Sequence, residues 1–433
     1  MDIHVLYALF RHHPEICTDT RKIKPGCLFF ALHGSNFDGN SFASEALKLG
    51  AAYAIVSDPK LQGPQFFHVD DTLLALQSIA HLHRIQLAIP LIAITGSNGK
   101  TTTKELVTAV LNEKYNVHAT KGNLNNHIGV PLTLLGAPSE TEIIVCEMGA
   151  NHKGEIELLC EIAQPTHGVI TNIGQAHLEG FGSIDGVQQA KGELFKYLFD
   201  HNGFAFVNVD DPRLAELGKS LAHKITFGFN SSASPAVHFN YISEDHHKGF
   251  VIQNTEENIQ IQSEMFGDYN ASNMLTAFVI GDHFKVPREK MMKSLSAFIP
   301  GSNRSESVLY KGCTVIKDAY NANPTSMELA LRAFASRFPD GWIILGDMKE
   351  LGSESLHAHR KIIEVIRELA FQNVFLIGKD FKAALINSSR PFQNLITTDH
   401  IDQLKTNWDW KKCLGQTLLL KGSRSMNLES LLE

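Results

Sequence analysis

Apolar residues along this chain fall into short unbroken runs separated by stretches of helical spacing. Residues 91–95 (Leu-Ile-Ala-Ile-Thr), 143–146, 168–170 and 205–209 show no polar alternation, the pattern of strands buried on both faces of a parallel sheet. After the first of these runs, Leu106, Val107, Val110 and Leu111 recur one helical turn apart. Upstream, residues 27–32 and 54–56 read as strands and 41–50 as a helix, which predicts a small α/β unit over residues 1–88. From about 224 to 265 the pattern changes to alternation, as in Asn258-Ile259-Gln260-Ile261-Gln262, predicting an antiparallel appendage. Beyond Pro300-Gly301-Ser302-Asn303 the βα rhythm restarts, with strands at 314–316, 342–345 and 374–377 and helices at 326–337 and 356–369. No G-x-G-x-x-G follows those strands, so this Rossmann-like unit is not built for a dinucleotide. The fold class is therefore α/β in three domains: 1–88, 89–302 with a P-loop-type, mostly parallel sheet and the appendage, and 303–433.

The run 91–95 leads into Gly96-Ser97-Asn98-Gly99-Lys100-Thr101-Thr102-Thr103, a strand, glycine turn, lysine and hydroxyl in the order of a phosphate cradle. Glycines let backbone N–H groups close around a polyphosphate, the lysine reaches the outer phosphates, and the first threonine is placed to ligate Mg2+ at a helix N-terminus. Ile94 stands where a strict Walker A pattern has its first glycine, leaving the shorter Thr-Gly-x-x-Gly-Lys-Thr. ATP is the expected ligand.

Composition narrows the partners. The chain has 433 residues, with 39 Lys+Arg against 46 Asp+Glu, a net charge of −7, so no general basic field favours nucleic acid. Six cysteines are scattered without a C-x-x-C pair, which argues against a disulfide framework or structural zinc and fits a reducing cytoplasm. The sequence predicts neither a membrane anchor nor a span of about 20 apolar residues. The histidine pairs His12-His13, His81-x-His83, His246-His247 and His357-x-His359 lack the spacing of a helical zinc site and read as surface residues.

Further candidates sit at strand ends. Glu147 closes the run 143–146, a place where parallel sheets gather ligands and where an oxygen donor for a hard cation is expected. His177, in Ala176-His177-Leu178-Glu179-Gly180-Phe181-Gly182, follows another apolar strand; by itself it fits a ligand or a packed histidine. Lys191, read alone, is a surface lysine. The segment Asn321-Ala322-Asn323-Pro324 also suits a simple helix-entry turn.

The block from Thr18 to Gly39, together with the Thr-Gly-x-x-Gly-Lys-Thr loop, resembles the Mur ligases of peptidoglycan synthesis, ATP-dependent amide-bond formers. Glu147-Met-Gly-Ala-Asn-His, Ala176-His-Leu-Glu-Gly-Phe-Gly and Asp318-Ala-Tyr-Asn-Ala-Asn-Pro-Thr-Ser-Met327 narrow the resemblance to the branch that joins D-Ala-D-Ala to UDP-N-acetylmuramoyl-tripeptide. The similarity runs essentially end to end. It implies an N-terminal domain for the UDP sugar, a central ATPase domain and a C-terminal domain receiving the amine, in a cytoplasmic monomer.

Residue roles follow from the same resemblance. Thr20, Arg21, Gly34 and Ser35 would meet the uridine diphosphate, and Asn125 and Asn126 the muramoyl peptide. Gly96, Ser97, Asn98, Gly99, Lys100, Thr101 and Thr102 would hold the ATP phosphates. Asn270 and Asn273 would lie near the adenine, where Tyr269 replaces a histidine common in relatives. Arg304 would reach the γ-phosphate despite an altered spacing after Pro300, Asp318 would face the ribose, and Tyr320, Asn321 and Asn323 would line the amine side. Lys100, His177 and Lys191 would be catalytic. Thr101 and Glu147 would hold one Mg2+, and His177 with a carbamylated Lys191 a second. The other Mur ligases and folylpolyglutamate synthase remain as alternatives, although this chain lacks the Asp-Asn-Pro-Arg motif of the enzyme that adds the third residue, and folylpolyglutamate synthase does not explain the N-terminal block from Thr20-Arg21 to Gly39. A P-loop nucleotide switch is a third.

Overall fold

The computed structural model describes residues 3–34, 37–243, 249–301, 303–386, 392 and 394–433. Three main sheets follow one another along the chain. The first has four parallel strands in the order Ile16–Cys17, Leu28–Phe30, Tyr53–Val56, Phe66–His68. The second is a seven-stranded parallel sheet ordered Val237–His238, Lys224–Gly228, Phe204–Asn208, His167–Ile170, Leu91–Thr95, Ile143–Glu147, Val117–Ala119. The third has six strands: Glu306–Tyr310 is antiparallel at one edge, and the rest are parallel in the order Cys313–Asp318, Thr417–Lys421, Trp342–Gly346, Asn373–Ile377, Asn394–Thr398.

The unbroken apolar runs are explained by two-sided burial. Leu91 and Ala93 face a core that also contains Leu6, Leu28, Leu76 and Ile79 from the N-terminal region. Ile92 and Ile94 face the opposite core, with Leu106, Val107, Met274 and Phe278. A strand whose two faces are both covered has no place for alternating polar residues. The third sheet packs its own cores, one around Leu331, Phe334, Ile343 and Ile362 and another around Ile344, Leu418 and Leu420.

The appendage is smaller than the alternation predicted. Lys224–Gly228 and Val237–His238 extend the central parallel sheet, and only Asn240–Ser243, Phe250–Asn254 and Ile259–Ser263 form an antiparallel sheet. A two-residue strand at the sheet edge carries too little pattern to reveal its direction. Helices form where their spacing predicts them, at Lys100–Leu111, Pro324–Arg337 and Ser355–Glu368.

Strand Leu91–Thr95 lies between Ile143–Glu147 and His167–Ile170, so the chain first winds to one side of it, through Val117–Ala119 and Ile143–Glu147, and then crosses to the other, at His167–Ile170. Such a reversal opens a crevice at the carboxyl ends of the strands, the usual ligand position in an open α/β sheet.

Candidate active site

A cavity of about 1150 Å3 fills that crevice, walled on one side by the central sheet and on the other by residues 304–329 and Lys421 of the third unit. Its floor is the turn from Leu91–Thr95 into helix Lys100–Leu111. Gly96 has φ of 141°, and a Cβ there would collide with Thr171; Gly99 has φ of 80° and lies against Asn273. Only glycine fits both the conformation and the space. Gly99 caps the helix with no side-chain hydrogen bond, so the first helical N–H groups face the cavity without a side-chain acceptor.

The turn is braced from both sides. Ser97 Oγ donates to Gly174 O at 3.0 Å and accepts Gly174 N–H at 2.9 Å, while Thr171 Oγ1 donates to Asn98 O at 2.6 Å. Asn323 Nδ2 donates to Asn98 Oδ1 at 2.7 Å, which ties the third unit to the glycine turn. Asn323 is also the N-cap of helix Pro324–Arg337, in a capping box with Ser326, so the helix-entry reading and the site reading hold together. Thr102 lines the same wall.

Lys100 Nζ folds back to donate to Gly96 O at 2.7 Å and Ser97 O at 3.2 Å. Burial pushes its pKa below the ordinary lysine range, an effect that the nearby Glu147 charge opposes. Glu147, only 2% exposed, accepts from the Thr101 hydroxyl at 2.7 Å through Oε2 and from Asn125 Nδ2 at 2.8 Å through Oε1. The Thr101 hydroxyl and the Glu147 carboxylate are oxygen donors of the kind a hard cation such as Mg2+ takes, with the Asn125 amide holding the carboxylate in place. Asn126 accepts the N–H groups of Ile128 and Gly129, a turn role, and lines the cavity beside Asn125.

His177 lines the cavity in a left-handed conformation, φ 50°, with Nδ1 2.6 Å from Glu350 Oε2. That contact holds the Glu350 carboxyl below its ordinary range. Lys191 corrects the surface reading: it is 1% exposed, and its Nζ donates to Ala150 O at 3.1 Å and lies 5.1 Å from the centre of the Phe181 ring. Among the described residues it makes no ion pair. Burial first, and then the Lys100 charge, push its pKa well below the ordinary value. Ala150 is a cavity wall and Lys191 stands directly behind it.

On the opposite wall, Asn273 donates through Nδ2 to Asn270 Oδ1 at 2.9 Å, and its Oδ1 accepts from the Thr103 hydroxyl at 3.1 Å. Tyr269 OH lies 2.9 Å from Ser305 Oγ. The Arg304 guanidinium stacks 3.6 Å over the Tyr320 ring. Asp318 accepts from Lys421 Nζ at 2.6 Å, and Asn321 lines the cavity next to them.

Several lining residues escaped the sequence reading: Lys421, Asp210, Asp211, Arg213 and Glu155. Lys421 ends the apolar strand Thr417–Lys421 and is 2% exposed, so the strand-end rule that singled out Glu147 applies to it equally. The N-terminal candidates lie elsewhere. Thr20 and Arg21 form a short turn in which Arg21 pairs with Asp19 at 2.7 Å, Gly34 sits in a hairpin against Phe37, and none of these three lines the cavity. Ser35 and the pair His246-His247 lie outside the described residues. His359, read as a surface residue, is fully buried.

Residues 14–109 match the family description "Mur ligase family, catalytic domain", residues 94–281 "Mur ligase middle domain" and residues 303–424 "Mur ligase, glutamate ligase domain". The chain is 36% identical to the UDP-N-acetylmuramoyl-tripeptide--D-alanyl-D-alanine ligase of Bacillus subtilis (strain 168), over 96% of this chain and 92% of the relative. Identity to the enzyme of that name in Escherichia coli (strain K12) is 34%, with 96% and 92% covered. A crystal structure of MurF from Acinetobacter baumannii superposes with a TM-score of 0.85 at 30% identity, covering 96% of this chain and 92% of that one. MurF from Thermotoga maritima in complex with ADP shares the fold, with a TM-score of 0.86 at 24% identity over 100% and 97% of the two chains. The family descriptions and the relatives at 30% identity or more span the chain that carries the glycine cradle, the strand-end carboxylate and the wall from the third sheet, and the protein belongs to the Mur ligase family.

Proposed function

We propose that this chain is the ATP-dependent ligase that joins D-Ala-D-Ala to UDP-N-acetylmuramoyl-tripeptide, forming ADP and phosphate in peptidoglycan precursor synthesis. The single observation that carries the reading is one cavity in which a phosphate cradle, an oxygen donor set and side chains of the third sheet converge. The relatives' names support the substrates. In this reading residues 1–88 receive the UDP sugar, 89–302 the ATP and 303–433 the amine. In the same reading the enzyme works as a cytoplasmic monomer. No helix among the described residues is long and apolar enough to cross a membrane.

A carboxylate is a poor acylating agent, so it must first be activated. An oxygen of the tripeptide carboxylate attacks the γ-phosphorus of ATP, the bond from that phosphorus to the β–γ bridging oxygen breaks, and ADP leaves. The amine lone pair then attacks the acyl carbon. The tetrahedral intermediate expels phosphate, and one proton leaves the nitrogen. Lys100 exchanges its contacts with Gly96 and Ser97 for the outer phosphates, and the helix N–H groups behind Gly99 hold their oxygens. Arg304 reaches the γ-phosphate, Asn270 and Asn273 lie against the adenine, and Asp318, held by Lys421, faces the ribose. Tyr320, Asn321 and Asn323 line the amine side, with Asn125 and Asn126 at the muramoyl peptide and Thr20, Arg21, Gly34 and Ser35 at the uridine diphosphate.

Thr101 and Glu147 would hold one Mg2+, and His177 with carbamylated Lys191 a second. Bound there, the ions neutralise charge on the transferring phosphoryl group and the acyl oxygen. The depressed pKa of Lys191 supports the carbamate, because only a neutral amine adds to CO2: the ammonium first gives up one proton, the nitrogen lone pair forms the C–N bond, and a second proton leaves the nitrogen, so that an anionic oxygen ligand stands where a cation did.

The test is a phosphate-release assay with UDP-N-acetylmuramoyl-tripeptide and ATP. Release is expected with D-Ala-D-Ala, and neither omission of the amine nor its replacement by glutamate should support it. Equal release without D-Ala-D-Ala would point to a nucleotide switch, and preference for glutamate to a different ligase.

A further inference from the structure

Glu350, from the third unit, meets His177 of the cavity wall. It follows strand Trp342–Gly346 in the chain, and its Oε2 lies 2.6 Å from His177 Nδ1, which belongs to the central unit. The two loops also meet through their backbones, since Glu179 N–H donates to Glu350 O at 3.4 Å and Gly352 packs against the Glu179 side chain. His177 and Glu350 both have positive φ, 50° and 64°, a conformation that is unfavourable for residues with a Cβ. The fold therefore holds two side chains face to face in conformations they would not choose. A stabilising ion pair is a weak explanation. The Glu350 side chain is 55% exposed, and a pair so open to water contributes little to stability.

We propose that Glu350 is the positioning residue for His177. The two atoms touch at 2.6 Å without the alignment of a hydrogen bond, and a small turn of the imidazole lets the carboxylate accept the Nδ1 proton, fix the ring's tautomer and orientation, and leave the Nε2 lone pair for a divalent cation. This rests on the reading of His177 as a metal ligand. A carboxylate behind a ligating imidazole raises its basicity and pins the ring. Because that carboxylate comes from the third sheet, the second metal position is complete only when the unit that receives the amine lies against the loop carrying His177. Phosphoryl activation is thereby tied to docking of the acceptor unit.

The test counts Mn2+ ions bound to the full chain by electron paramagnetic resonance, in the presence of a non-hydrolysable ATP analogue. Wild type is expected to bind two ions, and His177→Ala to lose the weaker. Glu350→Gln keeps the side chain's shape and an acceptor oxygen, so it should weaken that same ion about tenfold, and Glu350→Ala by about 10- to 100-fold. The tighter ion should be unaffected. The double variant should match His177→Ala, and turnover of Glu350→Gln should recover at high Mg2+ with KM for ATP unchanged. Unchanged Mn2+ binding in Glu350→Ala, alongside loss in His177→Ala, would overturn the inference and leave the His177 reading intact. Additive loss in the double variant would assign Glu350 to another partner, such as Lys100, and equally overturn it. Two ions retained by His177→Ala, or one ion in wild type, would instead remove the reading beneath.

Discussion

Glu147 and Asp347 occupy equivalent places in two sheets. Each stands at the carboxyl end of a buried parallel strand, and each is almost wholly buried, at 2% and 1% exposure. Their partners differ in kind. Glu147 accepts from the side chains of Thr101 and Asn125, and all three line the cavity. Asp347 accepts the backbone N–H groups of Asp380 and Phe381, at 3.1 and 3.0 Å, so it caps the helix Lys379–Leu385, and the half-exposed Lys349 Nζ adds to Oδ2 at 3.2 Å outside that cap. It lies so tightly on Gly378 that a Cβ there would strike its carboxylate.

The surroundings of Asp347 have the composition of a metal site, since His359 and Asp380 bring ligand atoms within 4.8 Å of one another. Yet His359 Nε2 already accepts the Met348 N–H at 3.1 Å, and its Nδ1 is bonded to Ser355 O at 2.7 Å. Hydroxyl and amide side chains beside a cavity can turn toward a ligand. Backbone N–H groups of a helix cannot, and the lone pairs they occupy are structural. A buried strand-end carboxylate is chemical when its partners are exchangeable.

The largest effect that could break this contrast is catalytic. Glu147→Gln should lower turnover by on the order of 10^3-fold, through loss of a metal-bound charge in phosphoryl transfer, with little change in thermal unfolding. Near-normal turnover would end the assignment. Lys100→Ala should likewise abolish phosphoryl transfer and leave the fold intact, as read by phosphate release and circular dichroism.

Lys191→Ala comes next. The expected result is loss of activity with partial recovery in added short carboxylates, which would replace the carbamate oxygens; full activity without them would remove the carbamate.

Asp347→Asn should do the opposite of Glu147→Gln. It turns an NH2 group or a lost acceptor toward two backbone donors, destabilising the protein by about 3 kcal/mol, a shift of several degrees in thermal midpoint. The Mg2+ dependence of turnover should stay where it was. A changed Mg2+ dependence with unchanged stability would erase the distinction between the two carboxylates.

Local pattern accounts for what was legible in the sequence. The glycine turn, its lysine and the strand before it are contiguous, and Gly96 and Gly99 are required by steric facts within one loop. Glu147 was legible because a polar residue ending an apolar run marks a sheet edge. Lys421 obeys the same rule and was overlooked, being far along the chain from anything it touches. Glu350 carried no local signal, since its meaning comes from His177 in another unit. Lys191 was misjudged by residue type alone: a lysine in an amphipathic helix reads as solvated until the packing of Phe181 and Ala150 over it is known. The edge of the central sheet was misread as antiparallel because a strand as short as Val237–His238 takes its direction from a neighbour and not from its own two residues.

The smallest effect concerns a third, partly buried group, at the amino end of the middle strand of the central sheet. His167 begins strand His167–Ile170 and packs among Phe204, Phe206 and Phe284, with Nε2 3.2 Å from His283 Nε2 and Nδ1 2.9 Å from Thr166 Oγ1. Burial, and then the His283 charge, push its pKa down to about 4; His283 is lowered too, by burial and by Lys285, against the pull of Asp282. The unfolded chain takes up a proton at this histidine near pH 6.5, and the folded chain only near pH 4. Stability from the neutral ring is therefore present above about pH 6.5 and is lost as pH falls toward 4, by about 2 kcal/mol at pH 4.5. His167→Phe should remove that part of the acid-side loss, measured as a smaller fall in unfolding free energy between pH 7 and pH 4.5 than in wild type. An identical fall would mean that the ring stays unprotonated in both states or charged in both. The expected result extends the contrast between Glu147 and Asp347: a titratable side chain can be packed among aromatic rings, strongly shifted and paired with another histidine, and still act only on stability when those rings close the space a ligand would need.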